Sequence, residues 1–181
     1  DSGYYETNTY LTSGKIRVNQ SNLRIITTVD LATSTKESAD YTVITTVGID
    51  NKNNIFVLDV IRERLEAPDV LKLLQTVSDK WNSEMIGIER AGYQLALIQI
   101  LRRQTTLPIV ELKADRDKLS RALPLSAKME AGMVFFPREA IWFSDLEKEL
   151  LQFPNGEHDD QVDSLAYAVL QSARKNKIRA Y

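Results

Sequence analysis

Residues 23–62 read LRIITTVDLATSTKESADYTVITTVGIDNKNNIFVLDVIR, and the fold is decided in that stretch. It holds three β-branched runs: Leu23–Asp30 (LRIITTVD), Tyr41–Gly48 (YTVITTVG) and Asn54–Arg62 (NIFVLDVIR). Val, Ile and Thr are stiff at the first side-chain torsion and pack well on a pleated surface, so such runs favour strands. Ile49–Asn53 (IDNKN) is rich in turn formers and suits a hairpin between the second and third runs. The spacing predicts an antiparallel three-strand meander whose first strand ends on an acid, Asp30.

Downstream the period changes. Pro68–Trp81 places Pro near a first helical turn and sets Val70, Leu71, Leu74, Val77 and Trp81 at helical spacing. Met85–Glu89 (MIGIE) is a short buried-type strand, followed through Arg90–Gly92 by a helix over Tyr93–Gln104 and a further strand, Leu107–Leu112. Mixed helical segments come next, then a final helix from about Asp160 to Arg174. A meander followed by alternating helix and strand gives an α/β fold: a mixed sheet of five or more strands, antiparallel then parallel, flanked by helices. Phe135, Phe136, Trp142 and Phe143 read as core or packing aromatics and not as base-stacking groups. Residues 1–22 are polar, rich in Ser, Thr, Asn and Tyr, and read as a linker or arm; residues 23–181 form the folded domain. The start at Asp1 without an initiator methionine leads us to expect a fragment of a longer protein.

Bulk properties narrow the chemistry. A chain of 181 residues, 43% hydrophobic and 27% charged, fits one soluble-type domain. No apolar run approaches the ~20 residues of a membrane-spanning helix, and no secretory signal pattern is present. There is no cysteine and one histidine, His158. Thiolate and His-rich metal sites are therefore excluded, and any metal held by carboxylates points to a hard ion, Mg²⁺ or Mn²⁺. The net charge of −2 is a poor omen for binding phosphates. Basic residues do gather at Lys113, Arg116, Lys118, Arg121 and Lys128, and again at Arg174, Lys175, Lys177 and Arg179.

The carboxylates carry more. Asp30 and Glu89 each end a predicted strand, where ligand sites of open α/β sheets gather. Glu is a poor strand residue, and burying it after MIGI is costly without a cation. Further on, His158-Asp159-Asp160-Gln161-Val162-Asp163 opens the last helix, with Asp160 and Asp163 spaced i,i+3 on one face. Capping a helix dipole accounts for one or two acids there, but three within five residues repel one another unless a divalent ion joins them. Phosphodiester hydrolysis suits such a set, since two metals ~3.5–4 Å apart activate water and stabilise the leaving oxygen. Asp30 is the expected bridging ligand; Glu89 and Asp160 or Asp163 complete the two sites. His158 could face a phosphate or support a ligand, although a surface cap is the plain alternative.

Together, TTVDLA ending at Asp30, GIERAG around Glu89 and HDDQVDSLAYA resemble the nuclease domain of the phage terminase large subunit, of the ribonuclease H-like superfamily. Residues 117–137 (DKLSRALPLSAKMEAGMVFFP) are similar to that family's segment before the last helix, so the resemblance covers 23–173. It implies a ribonuclease H-like fold and a two-metal endonuclease using Mg²⁺ or Mn²⁺ to cut concatemeric double-stranded viral DNA during genome packaging. Asp30, Glu89, Asp160 and Asp163 are the implied catalytic and metal-binding residues, with a share for Asp159 left open. Lys113, Arg116, Lys118, Arg121 and Lys128 are the implied DNA contacts, and Asp40, before the second strand, is implied to lie near the site, with turn residue as the plain alternative. The family carries an ATPase motor N-terminal to the nuclease. No GxxxxGK[ST] phosphate loop and hence no ATP site occurs in this chain, so residues 1–22 would connect to that motor. The portal and small terminase subunit are implied partners. The implied setting is the infected bacterial cytoplasm, transiently the procapsid portal, with no membrane role. Two other readings use the same residues: a nuclease resembling Holliday-junction resolvases or transposases, and a catalytically silent docking module.

Overall fold

The computed structural model describes residues 4–9, 16–32, 41–90, 94–113, 117–137 and 139–173. Among the described residues eight strands form one sheet: β1 (Tyr4–Thr9), β2 (Ile16–Asn19), β3 (Arg24–Asp30), β4 (Thr42–Ile49), β5 (Ile55–Glu63), β6 (Met85–Glu89), β7 (Ile109–Leu112) and β8 (Val134–Pro137). Five helices accompany them: α1 (Ala67–Trp81), α2 (Gln94–Gln104), α3 (Lys118–Glu130), α4 (Phe143–Gln152) and α5 (Asp160–Ser172). The strand order is β2-β1-β8-β5-β4-β3-β6-β7.

The expected meander is present: β3 pairs antiparallel with β4, and β4 with β5. On its other side β3 pairs parallel with β6, which pairs parallel with β7. This is the ribonuclease H-like order, and it gives β3 an antiparallel neighbour on one side and a parallel one on the other. The structure adds detail to the sequence reading at two places. Residues 1–22 include β1 and β2, which add to the sheet edge beside β8; a polar strand at an edge needs no apolar alternation. The segment 134–137 is a short strand parallel to β5, so Phe135 and Phe136 enter the core as strand residues.

Side chains alternate across the sheet. Val29, Ile44, Ile86 and Ile88 face α1 and α2, burying against Val70, Leu74, Val77, Leu97, Ile98 and Leu101. Ile26, Val43 and Val47 face the other way, against Val162, Leu165, Ala166 and Val169 of α5. α5 is buried along nearly its whole length. Two buried hydroxyls fix its height on the sheet. Thr28 Oγ1 donates to the Ser164 carbonyl at 2.7 Å, and Ser164 Oγ donates back to the Thr28 carbonyl at 3.3 Å. Among the described residues no helix is long and apolar enough to cross a membrane.

Candidate active site

Strand alternation places Ile26, Thr28 and Asp30 on the α5 face of β3. On β6 the same parity carries Met85, Gly87 and Glu89 to that face, because Met85 is level with Ile26. Asp30 and Glu89 thus end adjacent parallel strands side by side. The Thr28–Ser164 contact sets the first turn of α5 over them, bringing Asp160 and Asp163 to the same end of the sheet.

The electrostatics report this convergence. The Asp30 carboxyl is held well above the usual carboxylate range, chiefly by burial, then by repulsion from Asp163, Asp160 and Glu89, with Lys118 partly offsetting the shift. Asp163 is only 4% exposed and is likewise raised: burial outweighs the relief from Arg121 and Lys118.

Two cations of α3 stand among the acids. Lys118 Nζ lies 2.7 Å from Asp159 Oδ1 and 3.2 Å from Asp163 Oδ2. Burial alone would lower its pKa; the hydrogen bond to Asp159 and the charge of Asp163 raise it instead. Arg121 is buried at 6% exposure, with its guanidinium 3.6 Å from Glu89 Oε1 and 3.5 Å from Asp163 Oδ1. It also donates to the Tyr167 hydroxyl and lies over the Tyr167 ring. The Tyr167 pKa is pushed up by burial first and by nearby Glu89 second, so the phenol stays protonated. Asp117 caps α3, accepting from the Ser120 amide at 2.9 Å, and so fixes where Lys118 stands.

The donors fit a hard divalent cation. They are all carboxylate oxygens, and Asp163 Oδ1 is buried without a hydrogen bond. As the side chains stand, however, no three Asp, Glu or His groups among the described residues converge tightly enough to hold a metal. Lys118 and Arg121 occupy the space between them and supply the compensating charge.

Sequence reasoning brought Asp30, Glu89, Asp160 and Asp163 together, as the fold does. Asp159 is the N-cap of α5 by backbone geometry, but its side chain makes no capping bond and turns to Lys118. The missing cap comes from Glu149 of α4, which sequence reasoning did not flag. Its Oε1 accepts from the Gln161 and Val162 amides at 2.6 and 3.0 Å, and its Oε2 accepts from Gln161 Nε2 at 2.8 Å. Sequence reasoning does not single out Tyr167; its i,i+4 spacing from Asp163 is the signal that was available. Lys113 follows β7 at the acidic end and is exposed. Lys128 is instead at the opposite end of the sheet: its Nζ donates to the Asn53 carbonyl in the β4–β5 turn, ten residues and so ~15 Å along α3 from Lys118. Arg121, expected on the surface, is turned inward because it shares the buried stripe of α3 with Ala122 and Leu125. His158 packs edge-on against Tyr41, with ring centroids 5.9 Å apart. Asp40 and Arg116 lie outside the described residues.

A family model described as "Terminase RNaseH-like domain" matches residues 27–172. Among solved structures, the large terminase nuclease from thermophilic phage G20c with bound zinc is 21% identical, at a TM-score of 0.66, covering 83% of this chain and 82% of that one. The same nuclease with bound magnesium gives 20% identity, a TM-score of 0.66 and coverages of 83% and 82%. Without a named ion it gives 19%, 0.65, 83% and 83%. No curated protein matches.

Proposed function

The chain belongs to the terminase RNase H-like domain family, and from that premise we propose that it is a divalent-metal-dependent endonuclease hydrolysing double-stranded viral DNA during genome packaging. One observation carries the reading: Asp30 sits half-buried at the end of β3 beside Glu89 at the end of β6, with Glu89, Asp160 and Asp163 all close enough to raise its pKa. A fold keeps four mutually repelling carboxylates at one place when a cation joins them. The magnesium and zinc held by similar nuclease structures favour a divalent ion.

Asp30, Glu89 and Asp160 or Asp163 would hold two ions, Mg²⁺ or Mn²⁺, with Asp159 at the margin. Such ions supply Lewis acidity, lowering the pKa of water and offsetting charge on phosphate oxygens. The protein's own residues do the rest. β3 and β6 fix Asp30 and Glu89 at adjacent strand ends, and α5 presents its acids from above. Arg121 and Tyr167 orient Glu89 from behind, as a ligand's supporting contacts do. Lys118, half-exposed at the rim, can exchange its carboxylate partners for a DNA phosphate, and Lys113 stands at the same end. The acidic balance of the chain favours weak, salt-sensitive affinity, with an ATPase motor, portal and small subunit delivering DNA in the infected cytoplasm.

The test is plasmid nicking with Mg²⁺, Mn²⁺ or EDTA, on the wild type and Asp30→Asn. Cleavage should need the metal and vanish in the variant while the circular dichroism spectrum is unchanged. Cleavage retained by Asp30→Asn would overturn the assignment.

A further inference from the structure

The register of the meander links the acids to a second group of residues. Asp30 is level with Val43, and Val43 with Arg62, so the three side chains leave the same face of the sheet. Two strand spacings, ~10 Å, separate the Asp30 and Arg62 positions. Two residues further along each strand, Tyr41 and Arg64 repeat the parity. The Tyr41 ring carries both cations: the Arg62 guanidinium carbon lies 3.7 Å from the ring centroid and that of Arg64 lies 4.6 Å away.

Among the described residues neither arginine makes an ion pair, and Arg62 Nε and Nη2 are buried without hydrogen bonds. A desolvated guanidinium lacking an acceptor is costly. Stacking a planar guanidinium on an aromatic face holds it in place; with Nε and Nη2 of Arg62 closed off from solvent, the edge open to a forked phosphate contact is that of the exposed Arg64. Arg62 also lines a cavity of about 150 Å³ with Asp145, Glu157, Lys148 and His158, while Arg64 is exposed.

We propose that Arg62 and Arg64, braced on Tyr41, form a seat for a backbone phosphate of nucleic acid, flanking the acids on the side away from α3. The inference rests on the nuclease reading and adds a second anchor to it. A strand crossing Asp30 reaches the seat within about three nucleotides, at ~3.4 Å of rise each. Substrate would then be held on both sides of the scissile bond, by Lys118 and Lys113 on one flank and the arginine pair on the other.

The experiment measures fluorescence anisotropy of a short labelled duplex in Ca²⁺ over a salt series, using the full chain. Wild type is compared with Arg64→Ala, Arg64→Glu, Arg62→Lys and the charge control Lys52→Ala, an exposed residue of the β4–β5 turn at the far end of the sheet. Arg64→Ala should weaken binding roughly three- to tenfold and lower the salt slope by ~0.9, the signature of one lost phosphate contact. Arg64→Glu should weaken it further, and Arg62→Lys, which keeps the charge but loses the stacked fork, should weaken it too. Wild-type affinity and slope in both Arg64 variants would overturn the seat and leave the nuclease reading standing; so would an equal loss in Lys52→Ala, which would reduce the effect to net charge. A wild type that neither binds the duplex nor cuts plasmid with Mn²⁺ would bring down the nuclease reading, and the seat with it.

Discussion

Glu149 lies outside the acidic cluster, yet α5, which carries half of it, is anchored through this residue. Glu149→Ala removes the acceptor of two backbone amides and one side-chain amide, at Gln161 and Val162, residues only 2% and 1% exposed. An orphaned buried donor costs ~1–3 kcal/mol, and a carboxylate lost from a helix N-terminus removes a further ~0.3–1 kcal/mol. Taking the two backbone donors at ~1–2 kcal/mol each, the variant should lose ~2–5 kcal/mol, which for a domain of this size lowers Tm by roughly 4–20 °C. Glu149→Gln keeps Oε1 for both backbone amides, and a turn of the Gln161 amide restores the third contact. That variant should lose only ~1–2 kcal/mol, the charge-assisted part. Thermal and urea unfolding give both numbers, and amide exchange should place the loosening in residues 160–165. A Glu149→Ala protein within ~1 kcal/mol of wild type would refute the capping argument, as would a Gln variant damaged equally.

Further outcomes follow from the same geometry. Because Asp30 and Asp163 have raised pKa values in the fold, their stabilising contribution is present below the unfolded-state carboxylate pKa and is lost as pH rises through the folded values. In EDTA, Asp30→Asn should therefore gain Tm over wild type between pH 5 and 8 as the buffer becomes more alkaline; a gain that shrinks with rising pH would contradict the sign. Saturating Mn²⁺ at ~100 times its Kd should stabilise wild type by ~2.7 kcal/mol, whereas Asp30→Asn should respond far less. Calorimetry of the two proteins decides it. Tyr167→Phe deprives Arg121 of an acceptor and Glu89 of a neighbouring hydroxyl. It should cost ~1–2 kcal/mol and reduce nicking ~10–100-fold, as loss of a contact that orients a metal ligand does. Full activity in that variant would remove Tyr167 from the site.

The meander and the two strand-end acids were legible because β-branched runs and period changes are local signals, and β6 ended on Glu89 as its sequence predicted. The short β8 was not, since four residues define no period and its pairing with β5 is long-range. The inward turn of Arg121 was missed because a charged helix residue is ordinarily solvated; its burial depends on Glu89 and Asp163, which arrive from other elements. Glu149 was invisible for a similar reason. Its partners lie twelve and thirteen residues away across a turn, and no spacing rule links a helix interior to the next helix's first amides. Asp160 and Asp163 were readable as a pair, but Lys118 between Asp159 and Asp163 belongs to tertiary packing alone.

The hydroxyl pair Thr28–Ser164 joins positions 136 residues apart, and only there do the acids of β3 and α5 meet. The acids of the two elements therefore meet only once α5 is seated on the sheet, and a fragment ending before residue 160 lacks Asp160 and Asp163, half of the acidic set, together with the helix that covers that face of the core.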